Sequence, residues 1–265
     1  MDLPAPQLAA LVAVVDHGTF EAAARELHVT ASAVSQRIRA LESAVGQVLV
    51  RRASPCTATP AGATLVRLGR AQALLQAEAR TALEPDEGRR TELGLAVNAD
   101  SLATWFRDVL AEAATWDDTV LRLEVEDQAH SHELLRRGET LAAVTSDPEP
   151  VQGCSVEPLG TMRYLAAAAP ALLERHLSRG APDEPPTHRV PTSTDFLEAV
   201  TLSLGWGMVP ETQLLPLEAA GRLVRLRPDR PVDVPLHWQR WRVDSLLLGR
   251  VTEVVRRAAS THLRR

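Results

Sequence analysis

Thr19-Phe20-Glu21-Ala22-Ala23-Ala24-Arg25-Glu26-Leu27-His28-Val29-Thr30-Ala31-Ser32-Ala33-Val34-Ser35-Gln36-Arg37-Ile38-Arg39 carries two helix starts in one short stretch. Thr19 and Thr30 are good N-caps, because a hydroxyl oxygen there accepts a bond from a free N–H of the first turn. Ala22, Ala23 and Ala24 are small enough for a neighbouring helix to come close, and Leu27 closes the inner face. In the second predicted helix, Ala31 to Val45, the apolar residues Val34, Ile38, Leu41 and Val45 recur on one face. Ser32, Ala33, Ser35, Gln36, Arg37 and Arg39 lie off that face and are polar or small. Two short helices, a tight turn and a polar start to the second make a helix-turn-helix. Short side chains let such a helix approach base edges, while arginines hold phosphates.

Working outward, Leu8, Leu11, Val12 and Val15 form an earlier helical stripe that Gly18 can end. Periodicity alone leaves an ordinary helical hairpin open. The following segment shifts the balance toward DNA. Val48 to Arg52 reads as a short strand, Ala53 to Cys56 as a loop and Thr57 to Pro60 as its return, which together form a wing. Arg51 and Arg52 at its base suit phosphate contact. Between Ala33 and Pro60, Arg37, Arg39, Arg51 and Arg52 stand against Glu42, a local balance of +3. Thr59 and Pro60 then open a long helix, Ala61 to Leu83, with Leu65, Leu68, Leu75 and Ala79 on a stripe. That stripe needs a cover, either its own domain or a second copy. Glu84 to Gly88 breaks the helix and marks a hinge.

The chain has 265 residues, enough for two domains. The expected division is 1–60 for the winged helix-turn-helix, 61–90 for the linker helix and hinge, and 91–265 for a regulatory domain. The net charge of -5 argues against coating nucleic acid by bulk positive charge, but a local patch needs no such excess. Met1-Asp2-Leu3-Pro4 lacks a basic, apolar leader and no long apolar run follows, so the expected location is the cytoplasm, away from membranes. Cys56 and Cys154 are far apart and read as isolated thiols, with no metal expected.

From Glu92 onward, short apolar runs alternate with helical ones. Leu93 to Val97, Val120 to Val125, Leu141 to Thr145, Tyr164 to Ala168 and Gly207 to Val209 read as strands, with helices at Leu102 to Ala114 and Phe196 to Leu204. The fold class is therefore α/β, a parallel or mixed sheet covered by helices. Ligands of such sheets bind where strand ends feed helix starts. Two loops fit. Asn98-Ala99-Asp100-Ser101 offers a hydroxyl and free N–H groups for a carboxylate, while Asp100, Glu126 and Asp127 can pair with a cationic amine. Pro191-Thr192-Ser193-Thr194-Asp195 is the second polar helix start. For either loop alone, simple helix capping is the competing reading.

The order and spacing of Phe20 to Leu27, Ser32 to Ile38, Leu41-Glu42, Gly46 and Thr59 to Gly62 resemble the LysR-type family of transcriptional regulators. The resemblance implies base contacts from Ser32, Ala33 and Gln36, and phosphate contacts from Ser35, Arg37, Arg39 and Arg52. Many relatives carry Gln where this chain has Ala31, which leaves the operator sequence open. Leu95 to Trp105, Arg136 to Glu139, Gly205 to Pro210 and His237 to Arg240 are similar to the ArgP branch, regulators of arginine or lysine export. That implies double-stranded operator DNA as partner, lysine or arginine as effector, and no cofactor. It also implies linker helices paired in a homodimer or homotetramer, RNA polymerase as a further candidate partner, and a periplasmic-binding-protein-like sensor of two subdomains. One piece departs. Only Ser178 to Pro186 separates the helix after Ala168 from His188, so the second subdomain is expected to lack a strand and a helix, which exposes a sheet edge or rearranges it.

Enzymatic chemistry finds no support: no Gly-rich phosphate loop, nucleophile elbow or metal-spaced His pair occurs. His130 and His132, two residues apart, read as surface. A transport-type binding protein would need a leader and no reading head. The alternative function is an architectural or effector-independent DNA-binding protein whose shortened sensor no longer takes a ligand.

Overall fold

Three helices open the chain: α1 (Ala5–His17), α2 (Phe20–Glu26) and α3 (Ala31–Val45). Each boundary has a local cause. Gly18 ends α1 in the left-handed region at φ 70°, Thr19 Oγ1 accepts from Ala22 N, and Thr30 Oγ1 accepts from Ala33 N. Strands β1 (Val50–Arg51) and β2 (Thr57–Ala58) pair antiparallel as a wing, shorter than the expected Val48 to Arg52. Leu49 is fully buried beside it. Its N–H donates to Glu42 Oε1 and its carbonyl accepts from Thr59 N, so the residue serves as an anchor between α3 and the next helix. Leu8, Leu11, Val14, Val34, Ile38 and Leu41 form the core of this head.

The structure, a computed structural model, describes residues 2–83, 90–126, 131–179 and 187–265. The expected hinge, Glu84 to Gly88, lies outside the described residues, as do Asp127 and His130. Helix α4 (Pro60–Leu83) starts where Thr59 Oγ1 accepts from Gly62 N. Its expected stripe divides in two. Leu65, Val66 and Gly69 are buried, Leu65 and Val66 in the head core, and Leu74 joins the core of the larger domain. Leu68, Leu75 and Leu83 stay exposed.

From Thr91 onward come β3 (Thr91–Val97), α5 (Ala99–Ala103), α6 (Phe106–Ala113), β4 (Thr119–Val125), α7 (Ser131–Arg137), β5 (Ala142–Thr145) and β6 (Cys154–Ala168). Then follow α8 (Pro170–Arg179), α9 (Ser193–Thr201), β7 (Gly207–Pro210), α10 (Glu211–Ala219), β8 (Val224–Arg225), β9 (Val232–Trp241) and α11 (Leu246–His262). The sheet runs β4-β3-β5-β9-β6-β7 with β8 also on β6, and it is mixed: β3 is parallel to β4 and β5, and the other pairings are antiparallel. Strands β6 and β9 pair from Cys154–Trp241 to Tyr164–Val232, crossing between two lobes. The first lobe packs Trp105, Phe106, Leu135, Trp238 and Val255. The second packs Leu165, Val200, Val209 and Leu214. Both cysteines are buried and free, and burial pushes the Cys154 thiol up to about 11.

Two expectations change and a third is kept. The single helix over Leu102 to Ala114 is two, because Thr104 leaves helical geometry at φ -124°, ψ -109°, and Trp105 turns into the core to donate from Nε1 to Ser101 Oγ. His132 is half-buried instead of on the surface, with Nε2 3.4 Å from Glu133 Oε1. The second lobe has no strand beyond β7, which ends the sheet among the described residues as the shortened segment implies.

Candidate functional sites: the reading helix and the interlobe cleft

Helix α3 buries Val34, Ile38 and Leu41 and so turns Ser32, Gln36 and Arg39 outward, all exposed; Ala33, Ser35 and Arg37 flank them half-buried. Ser32 Oγ lies 2.9 Å from Thr30 Oγ1, at the helix start. Arg51 and Arg52 are exposed on and just after β1, and the Arg52 guanidinium stacks 5.2 Å above the Phe20 ring centroid. Glu42, the one acid between Ala33 and Pro60, is turned to the Leu49 N–H. The wing therefore carries two exposed arginines, one of them held over α2.

Between the lobes lies a cleft of about 640 Å³ lined by Asn98, Asp100, Glu126, Tyr164, Thr192 and Ser193 as its polar side chains. Asn98, 2% exposed, has a buried Oδ1 without a partner. Asp100 ties the lobes together: Oδ1 accepts from Ser193 Oγ at 2.5 Å and Oδ2 from Tyr164 Oη at 2.8 Å. Val125, Val190, Phe196, Met208, Val232 and Val234 form the apolar wall.

Two sequence expectations are relocated. Ser101 is fully buried, accepts from Trp105 Nε1 and does not line this cleft. Thr194 lines a separate cleft with Arg107, Gln213 and His262, because α9 turns it to the opposite side from Ser193. Tyr164 was missed. It sits in an apolar strand, and its being the only tyrosine of the chain was the available signal.

Residues 6–63 match the model for bacterial regulatory helix-turn-helix proteins of the lysR family. The transcriptional regulator LysG of Mycobacterium tuberculosis is 46% identical over 289 residues, covering 97% of this chain and 94% of that protein. The chain belongs to the LysR family. Those 289 aligned positions exceed the 265 residues of this LysR-family regulator, so at least 24 positions of its relative have no counterpart here. The fold agrees closely with ArgP from Mycobacterium tuberculosis, at TM-score 0.88 and 45% identity over 99% of both chains. Full-length LysG from Corynebacterium glutamicum with bound effector Arg gives 0.84 and 42%, covering 99% of this chain and all of that one. A LysR-family regulator needs a DNA-reading surface and a sensing domain, and the α3–wing face and the interlobe cleft provide a candidate for each.

Proposed function

We propose that this regulator controls genes for export or metabolism of basic amino acids in response to lysine or arginine held in the interlobe cleft. The observation that carries the reading is Asp100, a carboxylate that both lobes hold in place at a helix start. A cationic group entering the cleft meets an acid already oriented, with Glu126 also on the lining. The fold likeness to LysG with bound effector Arg supports the same assignment.

In this reading Ser32, Ala33 and Gln36 contact bases of an operator, while Ser35, Arg37, Arg39, Arg51 and Arg52 hold phosphates. Residues 1–60 form the head, 61–90 the linker and hinge, and 91–265 the sensor. The exposed Leu68, Leu75 and Leu83 of α4 pair with a second copy, which sets two heads on a two-fold operator. The work is done in the cytoplasm, without catalysis; among the described residues no helix is long and apolar enough to cross a membrane. Effector binding favours one lobe arrangement and thereby shifts the paired heads. An effector-independent reading draws on the edge of β7, which has no further strand beside it among the described residues. Calorimetry with lysine and arginine, followed by footprinting with and without ligand, separates the two. Heat of binding and a changed footprint are expected; no heat and one unchanged footprint would leave the effector-independent reading.

A further inference from the structure

The wing is fastened to the start of α2. Cys56 N donates to the Gly18 carbonyl at 2.7 Å, and a Cβ on Gly18 would lie 2.9 Å from Pro55 Cβ, so the wing loop sits directly on the turn between α1 and α2. Phe20 opens α2 just past that turn, at a helix start that Thr19 caps. It packs half-buried against the head core, and the Arg52 guanidinium lies over its ring, 5.2 Å from the centroid. Arg52 is exposed, and among the described residues its guanidinium is paired with this ring and with no carboxylate. Arg51 beside it is also exposed but has no aromatic face beneath it among the described residues. Stacking uses the face of a guanidinium and leaves the N–H donors in its plane free to fork onto a phosphate. An exposed arginine loses rotamer freedom when a partner immobilises it, and that loss is subtracted from affinity. A side chain already held over a ring forfeits less.

We propose that Phe20 is a positioning residue for DNA binding: its ring presets Arg52 for a backbone phosphate. The start of α2 and the wing then act as one phosphate-gripping unit. The proposal rests on the reading of Arg52 as a phosphate contact and adds the group that orients it. Phe20 acts through Arg52 alone and carries no contact of its own to the DNA.

A double-mutant cycle on the full-length protein tests this, with a mixed-sequence duplex of about 30 base pairs as the probe and fluorescence anisotropy at several salt concentrations as the readout. Phe20→Leu keeps an apolar side chain and removes the ring face. It is expected to weaken binding about two- to fivefold, the equivalent of an exposed cation–π contact. In an Arg52→Ala background the same change should cost less than about 1.5-fold, whereas in Arg51→Ala it should keep its full effect. Phe20→Tyr retains the face and should bind within about 1.5-fold of wild type. Arg52→Lys, an exposed change that leaves the core untouched, keeps the charge without the planar face. It should weaken binding by about the same factor as Phe20→Leu at an unchanged salt slope, and wild-type affinity there overturns the proposal. Arg52→Ala itself should lower the slope of log K against log salt by about 1. A Phe20→Leu loss of equal size with and without Arg52 shows a purely structural role; it overturns the proposal and leaves Arg52 as a phosphate contact. No loss in either background, or a Phe20→Tyr loss matching that of Phe20→Leu, overturns it as well. Unchanged affinity and slope in Arg52→Ala overturn the proposal together with the phosphate reading of Arg52.

Discussion

The Glu78 carboxylate of the linker helix caps the start of α11: Oε1 accepts from Ser245 Oγ at 2.5 Å and from Leu247 N at 3.0 Å, and Oε2 accepts from Leu246 N at 3.3 Å. An anion at a helix N-terminus satisfies free N–H groups and meets the positive end of the helix dipole. Three turns earlier, Arg67 Nη1 donates to the Arg136 carbonyl at 2.6 Å, at the end of α7. The linker helix is thus fastened to the sensor at two points. Removing the cap in Glu78→Ala should cost about 1 kcal/mol, the usual loss for a helix cap. Urea unfolding followed by far-UV circular dichroism measures it, and Glu78→Gln, which keeps an acceptor, should recover part of the loss.

Gly62 packs the linker helix onto the wing so closely that a Cβ there would lie 2.0 Å from the Leu49 carbonyl oxygen. Backbone cannot move aside as a side-chain end can. Gly62→Ala should therefore destabilise the head by about 1–3 kcal/mol or more, the range of overpacked sites. DNA binding should fall with it. Gly46→Ala provides a comparison: nothing lies within 4 Å of its Cβ, and φ 72° alone disfavours the substitution.

The Arg250 guanidinium beside Asp118, bonded to it and stacked 4.3 Å over Trp116, holds that carboxyl below its ordinary value of 3.8, and a bond from Thr119 adds to the effect. A carboxyl with a lowered folded-state pKa stabilises the fold above its unfolded value, and that contribution fades as pH falls through the folded value. Wild type should exceed Asp118→Asn in stability by about 0.5–1 kcal/mol at neutral pH, since the pair is part-exposed. The gap should close below the ordinary value of 3.8. Denaturant midpoints measured across this acid range check the sign.

Arg39 is exposed on the same face of α3 as Gln36. If it holds a phosphate, Arg39→Ala weakens binding evenly across operator sequences and lowers the slope of log K against log salt by about 1. Gln36→Ala should instead relax preference at one base position, by about 1–3 kcal/mol. Titrations at several salt concentrations against an operator and its single-base variants separate these roles.

The head was legible from the sequence because its determinants are local. Threonine caps, a glycine stop and a four-residue apolar stripe act within a few residues of where they stand, and Thr19, Thr30, Gly18 and Ile38 behave as read. The alternation of strand and helix gave the class of the sensor for the same reason. The long crossing strands and the cleft depended on distant pairings. Only the register of β6 against β9 brings Tyr164 to Asp100, and only the turn of α9 separates Ser193, at the cleft, from Thr194, which faces away. Ser101 likewise reads as a ligand hydroxyl until Trp105 folds inward to claim it. Helical periodicity alone determined where α3 presents its polar face. Which hydroxyls remain for a ligand was decided by hydrogen bonds between residues up to 93 positions apart, because such bonds exist only once the lobes have closed on each other.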